Sequence, residues 1–396
     1  MIDVSSGDGR RPTLLAICTI APWPVRDGYS LRVFNLLREL ASQWTVTLLA
    51  PLGPDGTGLV APEIADHIPI ALNGPGLTYP WRFNQRELRA AVHHIVQTRR
   101  PHRALVWPGA EAAWFSQRNL PPAVMDMIDS NSLEFWRALL MSTDPRERFY
   151  NLREFCIATW CAYRTVRAFA ATICVGERDA AWMARTGRHQ TVHVVPNGVE
   201  LPSETSLVEE VGHPTLCFTG TLNYAPNIDA VLFAAAEIWP RIRSAIPDAS
   251  FVIAGRSPVP DIAALDGRAG IRVEADVTDM QSVIGRSWVS IAPMRVGAGI
   301  KNKVLEAWAC ARPVVMTPMA TSGLALPSSH RALVHNDAAA LAEAVIGLFM
   351  SPQDRRLSGI SAQETVKRHH TWAGAARRLT DLLRDARVTG PGTSPV

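Results

Sequence analysis

Between Ala292 and Cys310 the chain reads APMRVGAGIKNKVLEAWAC, and this segment concentrates the residue types that bind phosphate. Gly297 and Gly299 lack side chains, so backbone N–H groups can approach an anion closely. The helix predicted from Asn302 to Ala311 would add the partial positive charge of its N-terminus there. Lys301 and Lys303 stand where a diphosphate would need cations, and Glu306 lies where a carboxylate could accept hydrogen bonds from ribose hydroxyls. Val304, Ala307, Trp308 and Ala311 form the buried stripe of that helix. The alternative is structural: Lys303 and Glu306 as an i, i+3 surface pair, with the glycines only shaping a turn.

Other loops carry weaker signals. FTGTLNYAPN at 218–227 places Gly220 and Thr221 at a strand terminus, suited to a phosphate, with Asn227 as a reasonable N-cap. Near the N-terminus, Gly28 could permit close passage of a ligand, and Arg32 would project from the first helical turn. In MDMIDSNS, Asp129 follows a strand, where a carboxylate could orient a hydroxyl acceptor or simply cap the next helix. Residues 81–103 hold six arginines and three histidines with Trp81 and Phe83, a composition open to anionic lipid or an acidic acceptor, or to a solvated helix. No D-x-D or histidine array suggests a metal site, and none is expected.

These loops need strands and helices to hold them. Strands are predicted at 13–19, 45–50, 104–107, 123–128 and 171–175, with helices after the first and over roughly 145–170. The polar stretch 202–213 reads as a linker, after which strand–helix alternation restarts at Leu216. The expected domains are 1–201 and 202–370, each a Rossmann-like α/β unit with a parallel sheet. A helix over 371–387 would pack back across both, and 388–396 would be disordered. A cleft between two such sheets would gather the C-terminal ends of their strands.

Bulk properties agree with a globular protein. The length of 396 residues suits two domains, and a formal charge of +4 argues against nucleic-acid binding. Six scattered cysteines, without a C-x-x-C pair, read as buried apolar side chains of a reducing compartment. No apolar run reaches the ~20 residues of a spanning helix, so the expected location is cytoplasmic, with peripheral contact at the inner face of the membrane left open.

Taken together, the motifs resemble those of retaining glycosyltransferases of family 4, the group 1 nucleotide-sugar enzymes with the GT-B fold. The resemblance rests on Pro22, Gly28, Arg32 and Asn35, on VPNGV at 195–199, FTGTLNYAPN at 218–227, IAG at 253–255 and GIKNKVLEA at 299–307. It is closest to bacterial polysaccharide-type sugar transferases, whose pattern is similar to residues 126–132. The resemblance implies two Rossmann-like domains facing each other across a cleft, an N-terminal acceptor domain and a C-terminal donor domain. Gly220 and Thr221 would lie beneath the diphosphate, which Lys301 and Arg295 would neutralise. Glu306 would match the second glutamate of the family's E-x7-E motif and hold the ribose, and Gly323 would lie near the donor. Gly297, Ala298, Gly299, Ile300 and Val304 would complete the donor site, with Gly28, Arg32 and Asp129 on the acceptor side. Ala298 stands where the first motif glutamate is expected, so the glycine-rich amides and Lys301 would do its work. The implied reaction is metal-independent, retaining transfer of a hexose from a nucleotide-sugar to a hydroxyl of a glycan, lipid-linked or natural-product acceptor, with Lys301, Glu306 and Asp129 as catalytic candidates and no cofactor. The rivals are a nucleotide-sugar 2-epimerase on the same fold and a silent nucleotide-sugar-binding subunit. No G-x-G-x-x-G follows the first strand of either half, which disfavours a dehydrogenase.

Overall fold

A computed structural model describes residues 11–25, 27–53, 64, 66–70, 85–107, 120–187, 192–202, 211–297 and 299–386. Arg26, Trp81, Phe83, Ala298, most of the expected linker and the tail from 388 lie outside them. The chain forms two compact units, Met1–Pro196 with Trp372–Val396, and Asn197–Thr371.

Seven parallel strands form the first unit's sheet: β1 (Thr13–Cys18), β2 (Thr45–Ala50), β3 (Asp66–Pro69), β4 (Arg103–Trp107), β5 (Ala123–Ile128), β6 (Ala171–Cys174) and β7 (Val192–Val194), in the order β3-β2-β1-β4-β5-β6-β7. Its central strands are continuously apolar because both faces are covered, with separate buried clusters on either side. Helices α1 (Gly28–Leu40), α2 (Gln85–Arg99), α3 (Asn131–Met141), α4 (Pro145–Ala168) and α5 (Glu177–Gly187) follow the strands. Asp27 caps α1 in a reciprocal capping box with Ser30. On α2, Leu88, Val92 and Ile95 face inward while Glu87, Arg89, His93 and His94 are exposed. The described part of its outward face is therefore polar.

The second unit repeats the plan with β8 (Thr215–Thr221), β9 (Ser250–Arg256), β10 (Ile271–Ala275), β11 (Val289–Ala292) and β12 (Val314–Met316), all parallel in the order β10-β9-β8-β11-β12. The strand order reverses at β8/β11, as it does at β1/β4 in the first sheet. A ligand on an open parallel sheet sits at such a reversal, beyond the strands' C-terminal ends. Helices α6 (Ala225–Phe233), α7 (Trp239–Ala245), α8 (Pro260–Ala263), α9 (Met280–Arg286), α10 (Asn302–Ala309), α11 (Ala338–Met350) and α12 (Pro352–His369) cover this sheet. Between α6 and α7 the helix widens into a π-helical segment, Ala234–Ile238, just before Pro240. Proline cannot donate to the ladder, and the wider turn absorbs that defect.

The final helix, α13 (Trp372–Asp385), completes the core of the first unit. Trp372, Ala376, Leu379 and Leu383 are buried against α1 and the first sheet. Arg103 donates from Nε to the Leu383 carbonyl at 2.6 Å, and Trp44 Nε1 donates to Thr380 Oγ1 at 3.3 Å. The first unit is thus discontinuous in sequence, and the units divide after Pro196 rather than after 201.

Candidate functional site

At the second sheet's reversal point, β8 ends in Thr219-Gly220-Thr221 and β11 runs into the glycine-rich loop. Gly220 has φ +153, and a Cβ there would lie 2.9 Å from Asn227 Nδ2 and 3.1 Å from Lys303 Nζ. The missing side chain is what admits the lysine to this strand end. Lys303 Nζ donates to Asn227 Oδ1 at 2.6 Å and sits 3.9 Å from the centre of the Phe218 ring. Asn227 Nδ2 in turn donates to the Thr221 carbonyl at 2.8 Å. Asn227 is therefore not an N-cap, a position Tyr224 takes; it anchors Lys303 to the strand end.

Burial pushes the Lys303 ammonium down to about 7; Glu306 pulls it up and Lys301 pushes it further down. Burial likewise raises the carboxyl of Glu306, and Lys303 draws it back down. No described residue hydrogen-bonds the Glu306 carboxylate, and the two side chains do not form the exposed ion pair that local spacing allowed. A cation and a carboxylate destabilised by burial gain when a ligand brings complementary groups.

Lys301 takes a different role. Its side chain is buried and its Nζ donates to the Gly299 carbonyl at 2.9 Å, closing the loop on itself. Gly297 (φ +112) and Gly299 (φ +68) occupy backbone conformations that favour glycine. Lys301 is also the N-cap of α10 and makes no side-chain cap, so the first-turn amides are not bonded by that residue. Asn302 fastens the helix start to the VPNG turn, accepting from Asn197 Nδ2 at 3.1 Å.

The other expected donor residues sort by position. Thr221 is half-buried at the strand end, and Ile300 is half-buried against the core. Val304 is fully buried, so only its backbone is available to a ligand. Gly323, at φ +75, lies in the loop beyond β12. Arg295 reaches away: its guanidinium pairs with Asp229, Nε to Oδ2 at 3.1 Å, and stacks 4.5 Å over Phe233. It is committed to α6 in this state. Sequence reasoning weighted Lys301 over Lys303 and missed Asn227 as its anchor. The K-N-K-V-L-E run shows two lysines but not which one meets β8.

In the first unit, Arg32 does not project. It is fully buried, and its Nε donates to Asp126 Oδ2 at 2.8 Å. Asp126 also accepts from Trp107 Nε1 at 2.8 Å and from the Ile128 amide at 3.0 Å, tying α1, β4 and β5 together. A buried arginine needs such a partner, so Arg32 belongs to the scaffold beneath the strand ends. Gly28 is the exposed first residue of α1. Asp129 follows Ile128, whose φ of +63 is rare for a β-branched side chain and coincides with a register shift between Asp126 and Ile128. Ser130, not Asp129, caps α3, accepting from the Leu133 amide. Asp129 is thus turned out of the strand by a strained residue, the kind of feature that gathers at ligand sites. Among the described residues no group of three or more His, Cys, Asp or Glu side chains is placed to hold a metal ion.

Comparison with known proteins gives a family for part of the chain and a fold for nearly all of it. Residues 213–351 match the family described as Glycosyl transferases group 1. No curated protein sequence matches the chain. Among solved structures, WaaG, a glycosyltransferase involved in lipopolysaccharide biosynthesis, aligns with TM-score 0.66 at 12% identity, over 94% of this chain and 100% of its own. HepE of Anabaena, solved with UDP-glucose, aligns with TM-score 0.68 at 12% identity, over 94% and 99%. A glycosyltransferase from Rickettsia africae ESF-5 aligns with TM-score 0.66 at 13% identity, over 96% and 100%. At these identities the likeness establishes the fold, which is GT-B.

Proposed function

We propose that this chain, whose fold is GT-B and whose residues 213–351 match the group 1 glycosyltransferases, is a glycosyltransferase that moves a hexose from a nucleotide-sugar to an acceptor hydroxyl with retention at the anomeric carbon. The observation that carries this reading is the Lys303 ammonium held beside Gly220 at the end of β8, where no side chain intervenes. In this reading the diphosphate lies over Gly220 and Thr221. It takes charge from Lys303, amide hydrogens from the start of α10, and support from Lys301 through the loop it closes. Glu306 accepts from the ribose hydroxyls, whose donation favours its ionised form.

Departure of the diphosphate places negative charge on its bridging oxygen while the sugar becomes cationic. Fixed ammonium and amide dipoles meet that charge without reorganising, and metal independence is part of the proposal. The bond from the anomeric carbon to phosphate breaks as the acceptor oxygen bonds from the same face. The acceptor proton passes to the departing phosphate oxygen, so no side-chain base is required. Asp129, beyond β5, is proposed to orient the acceptor hydroxyl, which would belong to a glycan or lipid-linked glycan.

The test is a thermal-shift panel of UDP-, GDP- and dTDP-sugars, since a bound ligand stabilises by mass action. One donor class should raise the melting temperature of the parent and fail to do so for Lys303→Met. If no nucleotide-sugar stabilises the parent chain, the donor reading falls. Conversion of the donor without acceptor would instead favour an epimerase, and an inverted product linkage would remove retention.

A further inference from the structure

Helix α4 presents an apolar stripe to solvent that the sugar-transfer reading does not use. Phe149, Leu152, Cys156, Trp160 and Tyr163 recur at spacings of three and four, so they share one helix face, and all are exposed. Phe149 is 72% exposed, and at the end of the preceding helix α3 Leu140 and Met141 are 62% and 67% exposed. More than half of the exposed large hydrophobic side chains among the described residues lie on these two helices. The α3–α4 pair has its own inner seam, Trp136 on Phe155 at 5.2 Å and Phe135 on Tyr150 at 6.4 Å, so the outer stripe is not needed to hold the helices together. A surface this apolar and this contiguous marks a binding face.

Its charges point to the occupant. Helix α4 carries Arg146, Arg148, Arg153, Arg164 and Arg167 against Glu147 and Glu154. Glu154 is turned inward and buried, paired with Arg153. The arginines lie along the aromatic rings: Arg153 is 5.7 Å from the centre of Tyr150, Arg164 is 5.4 Å from Trp160 and Arg167 is 5.3 Å from Tyr163. Apolar and aromatic side chains flanked by guanidinium groups, with one exposed acid at the helix start, match the acyl–headgroup boundary of an anionic bilayer. A second copy docked isologously would set arginine against arginine. The same arginines keep α4 from spanning a bilayer, and no helix among the described residues is long and apolar enough to cross one.

We infer that the outer face of the α3–α4 pair rests on an anionic phospholipid bilayer, with Phe149, Trp160 and Tyr163 inserted at the interface and Arg164 and Arg167 on the headgroups. This is independent of the donor site. The experiment is co-sedimentation of the full chain with vesicles of pure phosphatidylcholine and of an equal mixture with phosphatidylglycerol. The parent should partition to the mixed vesicles, weakly to the neutral ones, and less as salt is added. Arg164→Gln with Arg167→Gln should weaken partitioning by about 25-fold, some fivefold per charge. Phe149→Ser with Trp160→Ser should weaken it at least ~tenfold. All these side chains are exposed, so the melting temperature should hold and report intact folding. Absence of binding to mixed vesicles by the parent, or binding by both double variants as strong as the parent's, overturns the inference. So does a concentration-dependent dimer that Phe149→Ser with Trp160→Ser abolishes, which would assign the stripe to a second copy.

Discussion

Lys303 combines an anchoring bond to Asn227, a ring beneath it and a burial cost that leaves its ammonium only about half charged near neutrality. A bound diphosphate favours the charged form. Below about pH 7 the free protein already carries the charge, while above it binding must draw in a proton. Donor affinity should therefore be full below about 7 and fall by up to ~tenfold per pH unit above it, until the raised value in the complex is reached. Calorimetry near pH 8 with the nucleotide-sugar that stabilises the parent in the thermal-shift panel, in two buffers of different ionisation enthalpy, should show proton uptake that Lys303→Met abolishes. That substitution should also lower turnover by about 10²–10³, since it removes a charge contact to the departing group. Gly220→Ala should displace the Lys303 and Asn227 side chains, which can move, and weaken donor binding by about tenfold with a smaller effect on stability.

Elements set where those residues meet. Strands β8 and β9 approach so closely that a Cβ on Gly255 would lie 1.7 Å from the Gly220 carbonyl oxygen. That atom is backbone and cannot swing aside, so Gly255→Ala should destabilise the second unit by about 3 kcal/mol or more in urea unfolding. In the first unit, the buried Arg32–Asp126 pair joins α1 to β5. Asp126→Ala would leave a guanidinium buried without its carboxylate, at a cost of about 3–5 kcal/mol in the same measurement. The α1 and β5 motifs were visible from residue spacing, but their joining was not. Arg32 and Asp126 are 94 residues apart, and nothing local distinguishes a projecting arginine from a buried one.

Across the whole molecule, the chain leaves the first unit after Pro196 and returns to it at Trp372. Asn197–Thr371 expressed alone should fold, melt in one transition and be stabilised by the same nucleotide-sugar as the full chain. A chain ended at Thr371 should lose protease resistance in the first unit, because the faces of α1 and the sheet that α13 covers would be exposed. Hydrophobic period, caps and glycine–lysine spacing, all local, determined from the sequence alone that there are two alternating α/β halves and that a glycine-rich loop runs into a helix carrying Lys303 and Glu306. Tertiary structure decided that Lys303 rather than Lys301 meets Gly220, that Arg32 is scaffold, that α13 rejoins the first core, and that α4 bares its aromatic residues. Each of these outcomes depends on which face of a helix turns toward a partner far away in the chain, and spacing within a segment does not encode the rotation that strand order imposes.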